Sequence, residues 1–208
     1  MNTSSLHDSS TTNSLLGLAN SGDEQAFAQL FARHEDALRR LIQHRIEAGL
    51  ARRFDASDVV QETRVKAFQR LGDFVQRRPM PLAIWLQRTA LQQLADLRRY
   101  HVDTAKRSLR REQDGLNRSS MLLGQSLMAS KVTPSAIVSA EEEARRVRAA
   151  VAELDEADRE ILMMRYVEQF SNREIAYLLD VTDAVASKRH GMALLRLRQT
   201  LKRLFPES

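Results

Sequence analysis

Ser171-Asn-Arg-Glu174-Ile-Ala176-Tyr-Leu-Leu-Asp180-Val-Thr182-Asp183-Ala184-Val-Ala-Ser187-Lys188-Arg189-His190 is the most legible run in this 208-residue chain. Ser171 and Glu174 have the spacing of a capping box, in which each side chain satisfies a backbone donor at the start of a helix. That box predicts a short helix to Leu179, a turn at 180–182 and a long final helix from about Asp183 to Leu204. Two helices joined by so short a turn form a helix-turn-helix. Ala176 falls where the helices cross closely and only a small side chain fits, and Val181 is expected to plug the turn. The second helix then projects Lys188, Arg189 and His190 from its N-terminal half, where a DNA-reading helix meets base edges and phosphates. A helical hairpin inside a bundle can carry the same bare pattern, so the rest of the chain has to decide.

Upstream of this run, Thr133-Pro134 is a good helix start, because Thr can cap and Pro suits the first helical position. Val147, Val151 and Leu154 give one apolar stripe, and Ile161, Leu162, Arg165 and Tyr166 another. Residues 133–205 therefore read as one helical domain. Residues 108–132 lose periodicity and carry Gly115, Ser119, Ser120, Gly124 and Ser130; they read as a linker with a short helix around Met121 to Met128. Residues 15–107 read as a second domain. Leu15, Leu16, Leu18 and Ala19 begin a stripe that Phe27, Leu30, Phe31, His34, Leu38, Leu41 and Ile42 continue at steps of three and four. A second helix starts at Asp55. A third runs from Leu82 to about Tyr100, with Trp85, Leu86, Thr89, Leu94 and Leu97 as its expected buried set. The intervening Gly72 to Pro79 segment is read as a loop. Residues 1–14, with ten Ser, Thr or Asn, read as a disordered polar leader.

Composition agrees with an all-α protein, since 7 Gly and 4 Pro are too few for a turn-rich sheet. The absence of Cys removes disulfides, thiolate metal sites and Cys nucleophiles, and fits a reducing compartment such as the cytoplasm. No two of the 5 His lie three or four residues apart, so a helical His pair for a metal is missing. No apolar run reaches the length of a membrane span, and the polar N-terminus lacks the layout of a secretion signal. The net charge of +5 is unevenly spread. Ile84 to Arg111 carries seven basic residues against Asp96 and Asp103, and Asp183 to Arg203 carries six against Asp183 alone. Each segment is +5, leaving the remainder at −5. Two separate phosphate contacts are the functional reading of this division, and two solvated helix faces the bland one.

Three groups of motifs, in this order, resemble the RNA polymerase sigma factors of the extracytoplasmic-function (ECF) group. They are Asp55-Ala-Ser-Asp58-Val-Val-Gln61-Glu62-Thr-Arg-Val-Lys-Ala-Phe68; then Trp85-Leu-Gln-Arg-Thr-Ala90 with Asp96-Leu-Arg98-Arg99; then Leu154-Asp-Glu-Ala-Asp-Arg159-Glu-Ile-Leu with the helix-turn-helix and Ala193-Leu-Leu-Arg196-Leu-Arg198. The resemblance implies a region 2-like domain over 15–107 and a region 4-like domain over 133–205. It implies a transcription initiation factor that binds core RNA polymerase, directs it to promoter DNA and helps melt it.

By that resemblance Asp58, Gln61 and Glu62 dock on the clamp of the polymerase largest subunit. The i, i+4 spacing of Asp58 and Glu62 puts both on one helix face, where they can pair with a partner's arginines. A metal or acid–base role for the same pair lacks a His neighbour or a phosphate loop. The minus-ten element and its melted strand fall to Phe74, Arg77, Arg78, Arg88, Gln92, Gln93, Arg98 and Arg99, which supply a ring platform and positive charge. Trp85 is read as core rather than as a stacking platform. The minus-thirty-five element falls to Arg173, Asp183, Ala184, Ser187, Lys188, Arg189 and His190, with a second polymerase contact at the flap. The chain departs from the family pattern at Ala186, where Val is usual, at Met192, where a basic residue is usual, and at mid-helix Gly191; Val185 is expected to supply the missing anchor. No catalytic residue, metal or cofactor is assigned. The resemblance leaves room for an anti-sigma factor as a further partner and gives no membrane contact. The rival reading is a free-standing helix-turn-helix repressor whose N-terminal helices bind a ligand or dimerise.

Overall fold

A computed structural model of the chain describes residues 3–46, 54–103, 122–123, 125–127 and 137–206. Nothing but helix and connecting turns occurs among them. The helices are α1 (Thr3–Asn20), α2 (Glu24–Arg45), α3 (Ala56–Gln69), α4 (Leu71–Arg77), α5 (Leu82–Asp103), α6 (Ile137–Ala152), α7 (Glu156–Leu162), α8 (Asn172–Leu179) and α9 (Asp183–Leu204), with a π-helical turn at Met163–Val167. They fall into two compact units, Met1–Gln43 with Arg53–Lys106, and His44–Arg52 with Arg107–Ser208.

In the first unit the expected stripe of α2 forms the core, with Phe27, Leu30, Phe31, Leu38, Leu41 and Ile42 all buried, whereas His34 is half-buried. Phe27 contacts Phe31 and Phe68 at ring-centroid distances of 6.0 and 5.1 Å. Helix α3 packs on α5, and α4 packs on both α1 and α3. Leu86, Thr89 and Leu94 of α5 are buried as expected; Trp85 and Leu97 are half-buried. Two sequence expectations need correction. The leader, read as disordered over 1–14, is helical from Thr3, where α1 begins. Thr12 and Asn13 find partners there: Arg33 donates to Thr12 Oγ1 at 3.2 Å and Arg78 to Asn13 Oδ1 at 3.3 Å, while Leu16 and Ala19 anchor the helix. The Gly72 to Pro79 segment is not a loop throughout. Leu71 and Phe74, three residues apart, are both buried, which makes one amphipathic helix of two turns worthwhile. Arg78 ends it in the left-handed region at φ 37°, just before Pro79.

In the second unit α9 packs on α6, α7 and α8 around Ala150, Val151, Ile161, Leu162, Met164, Ile175, Ala186 and Ala193. Ser171 and Glu174 form the expected capping box, with Ser171 N–H donating to Glu174 at 2.8 Å. Asp180 turns the chain at φ 56°, and Thr182 caps α9 by accepting from Val185 N–H. The π-turn after α7 was not legible in the sequence. Closing the hydrogen bond one residue further along lets Glu168 N–H donate to Met163 C=O at 3.1 Å, and Gln169 then takes φ 63° with Phe170 buried in the core. The expected short helix in the linker is present at 122–123 and 125–127. In this part of the linker Leu123 is fully buried and Ser126 Oγ donates to Tyr166 C=O. The expected start at Thr133-Pro134 lies outside the described residues.

Candidate polymerase and nucleic-acid interfaces

Helix α3 is organised by its first turn. Asp55 Oδ1 accepts from Ser57 N–H at 2.7 Å and Asp58 N–H at 3.0 Å, and Asp58 Oδ2 accepts in return from Asp55 N–H at 2.8 Å. The inward face, Val59, Val60, Thr63 and Ala67, is sealed, with Thr63 Oγ1 donating to Val59 C=O at 2.7 Å. Asp58, Gln61 and Glu62 are all exposed on the outward face. Val65 completes it at 52% exposure, a position that the i, i+3, i+4, i+7 spacing from Asp58 could have revealed.

The α4–α5 region does not bring all eight of its sequence-assigned residues to one surface. Phe74 is 5% exposed and stacks on Trp85 with centroids 4.6 Å apart, so it is a core residue and no ring platform. Gln93 is also buried, because adjacent helical residues lie 100° apart and Gln92 already faces outward. Arg88, Gln92 and Arg99 share one side of α5 and Arg98 lies off that line; Arg88 and Arg98 are both half-buried. Arg99 is exposed and pairs with Asp96 at 2.5 Å. Arg77 is exposed beside the left-handed Arg78.

On the helix-turn-helix, Asp183, Ala184, Lys188 and Arg189 are exposed. Ser187 is exposed too, but its Oγ accepts from Asn172 Nδ2 at 2.9 Å, tying α8 to α9. The Arg173 guanidinium lies over the Tyr177 ring at 5.9 Å and donates to its hydroxyl at 3.3 Å. His190 differs from its neighbours. Its ring turns inward against Tyr166 at 5.7 Å, and Nε2 is buried without a hydrogen-bond partner among the described residues. Burial, reinforced by the nearby Arg165 charge, holds this imidazole below its ordinary pKa. Val185 is not the core anchor; it is 39% exposed, and Ala186, at 1%, faces the core instead. Gly191 answers no packing need, since a Cβ there would meet nothing within 4 Å.

Part of the α9 charge is spent on the fold. The buried Asp158 carboxylate accepts from Arg196 Nη1 at 2.7 Å, and Arg203 pairs with Glu153. This explains why the Leu154 to Leu162 and Ala193 to Arg198 motifs occur together: one holds the other. Lys188 and Arg189 remain exposed in the N-terminal half of α9. Among the described residues no group of His, Asp or Glu is arranged to hold a metal, and no helix is long and apolar enough to cross a membrane.

Residues 30–104 match the model of Sigma-70 region 2, and residues 144–197 that of Sigma-70, region 4. The chain is 32% identical over 193 residues to RNA polymerase sigma factor CnrH of Cupriavidus metallidurans, covering 90% of this chain and 92% of that one. It is 29% identical to RNA polymerase sigma factor NccH of Alcaligenes xylosoxydans xylosoxydans, covering 94% and 97%. Among solved structures it resembles CnrH in complex with the cytosolic domain of CnrY, at 26% identity and a TM-score of 0.55 over 93% of this chain and 98% of that one. The region 2 match occupies the helices that the repressor reading reserved for ligand binding or dimerisation, and so removes that reading. The chain belongs to the sigma-70 family as an ECF sigma factor, a transcription initiation factor that binds core RNA polymerase and directs it to promoter DNA.

Proposed function

We propose that α3 docks on the clamp of core polymerase through Asp58, Gln61 and Glu62, while two basic surfaces divide the promoter between them. The carrying observation is the two-sidedness of α3: a fully buried apolar face opposite an exposed face with two carboxylates and an amide. Carboxylates four residues apart can be met by two arginines of a partner helix at no cost to the core. Arg77, Arg78, Arg88, Gln92, Arg98 and Arg99 then serve the minus-ten element and its melted strand. Phe74 leaves that set because it is inside, and Gln93 with it. Arg173, Asp183, Ala184, Lys188 and Arg189 serve the minus-thirty-five element, with Ser187 held by Asn172; His190 leaves that set because its ring is turned inward. The unit that carries them contacts the polymerase flap.

The factor itself performs no catalysis and works in the cytoplasm, where its polymerase is. An anti-sigma protein is the natural further partner, since the similar CnrH forms a complex with a cytosolic domain of another protein. Competition for core polymerase against a labelled sigma factor tests the docking face. Glu62→Lys and Gln61→Ala should weaken competition at least tenfold with helical content unchanged. Equal competition by both variants and the parent would overturn the assignment.

A further inference from the structure

Val185, which the sequence offered as a core anchor, instead stands on the open side of the DNA-reading helix, and we infer that it reads the C5-methyl group of a thymine in the upstream promoter element. This inference rests on the proposal that α9 enters the major groove there.

Val185 is 39% exposed in the first turn of α9, while its neighbour Ala186 fills the core position at 1%. Lys188 and Arg189, three and four residues on, flank the same side and are exposed. The exposed apolar surface continues through Met192 and Leu195 at 40% and 46%, but only the N-terminal half of such a helix reaches base edges. A β-branched residue gains nothing from helix propensity at an exposed site, where Ala would be better. In the major groove it has a partner. Each thymine presents one apolar group there, the C5-methyl, which is met by apolar side chains, whereas the other base edges present hydrogen-bonding groups. Ala184, next to Val185 and also exposed, adds no bulk to keep the backbone away from the bases. The two cations supply attraction to the phosphates on either side of the groove, and the valine supplies a contact that distinguishes one base.

The test uses the full chain bound to core polymerase. Selection from duplexes randomised in the upstream element gives the preferred sequence, and each thymine in it is then replaced by deoxyuridine, which lacks only the methyl group. At one thymine the replacement should weaken binding about fourfold, the effect of burying a single methyl. Val185→Ala should bind the thymine duplex about fourfold more weakly and show no response to uracil at that position, whereas Val185→Thr, which keeps one γ-methyl, should retain a response. A full uracil response in Val185→Ala, or no thymine whose methyl matters, overturns the inference. Arg189→Ala separates it from the reading beneath: this variant should weaken thymine and uracil duplexes equally. If Arg189→Ala has no effect on upstream binding either, the assignment of α9 as reader falls and takes the methyl contact with it.

Discussion

The two basic surfaces present the same problem in sequence and solve it differently. In each, a ring lies within a few residues of arginine or lysine: Phe74 beside Arg77 and Arg78, and His190 beside Lys188 and Arg189. In each the ring turns inward while the cations stay out, because burial rewards the ring and penalises the charge. The surfaces differ in what the ring meets. Phe74 stacks on Trp85 and joins a core, whereas His190 meets Tyr166 at the edge of its unit and carries a polar nitrogen with it. Proximity to arginine in sequence therefore does not make a ring a nucleic-acid platform. Helical phase decides.

The largest expected effect comes from Phe74→Ala. As a core residue it should cost about 3–5 kcal/mol, seen as a lowered midpoint of chemical denaturation. A platform residue would instead leave stability intact and slow promoter opening, and that result would restore Phe74 to the binding surface. Asp58→Lys comes next and should do two things: lose about 1 kcal/mol by breaking the cap at Asp55 N–H, and weaken competition for core polymerase. Comparison with Glu62→Lys separates the two, since Glu62 takes no part in the capping box. An unchanged denaturation midpoint in Asp58→Lys would show that the cap contributes nothing. Arg189→Ala is smaller and purely electrostatic. Upstream-element binding should weaken uniformly across sequences, with the logarithmic salt slope reduced by about one; an unaltered slope would take Arg189 away from the phosphates.

Helix physics also shows which parts of the site were legible. A polar side chain that its helix needs says less about function than one it does not. Asp58 sits where a capping box requires an acceptor, and Asp183 in a first turn that favours negative charge. Gln61, Glu62, Lys188 and Arg189 have no such local reason, and all four remain exposed. The capping box at Ser171, the turn at Asp180 and the α2 stripe were read directly, because each is fixed by residues within four positions of one another. What escaped depends on distant partners. Helix α1 extends through the polar leader as its side chains meet Arg33 and Arg78, and the Asp158–Arg196 pair joins segments 38 residues apart. The exchange of Val185 for Ala186 at the core turns on a single 100° step, finer than a stripe of alanines and one valine can resolve.

The smallest expected effect tests the other half of the comparison. His190 is held below its ordinary pKa of about 6.5 by burial and by Arg165. The unfolded chain then binds a proton more readily than the folded one as pH falls through that value, so folded stability should decline on acidification below about 6.5 and be insensitive to His190 above it. His190→Gln should reduce the acid sensitivity while leaving upstream-element binding at pH 7.5 within twofold of the parent. A cationic reader would behave in the opposite way, with binding rising on acidification and the His190→Gln variant losing that rise. Titration of the imidazole by NMR, followed alongside the denaturation midpoint from pH 5.5 to 8, distinguishes the two. An imidazole that titrates above 6.5 would turn His190 outward again and make the two surfaces alike only in sequence.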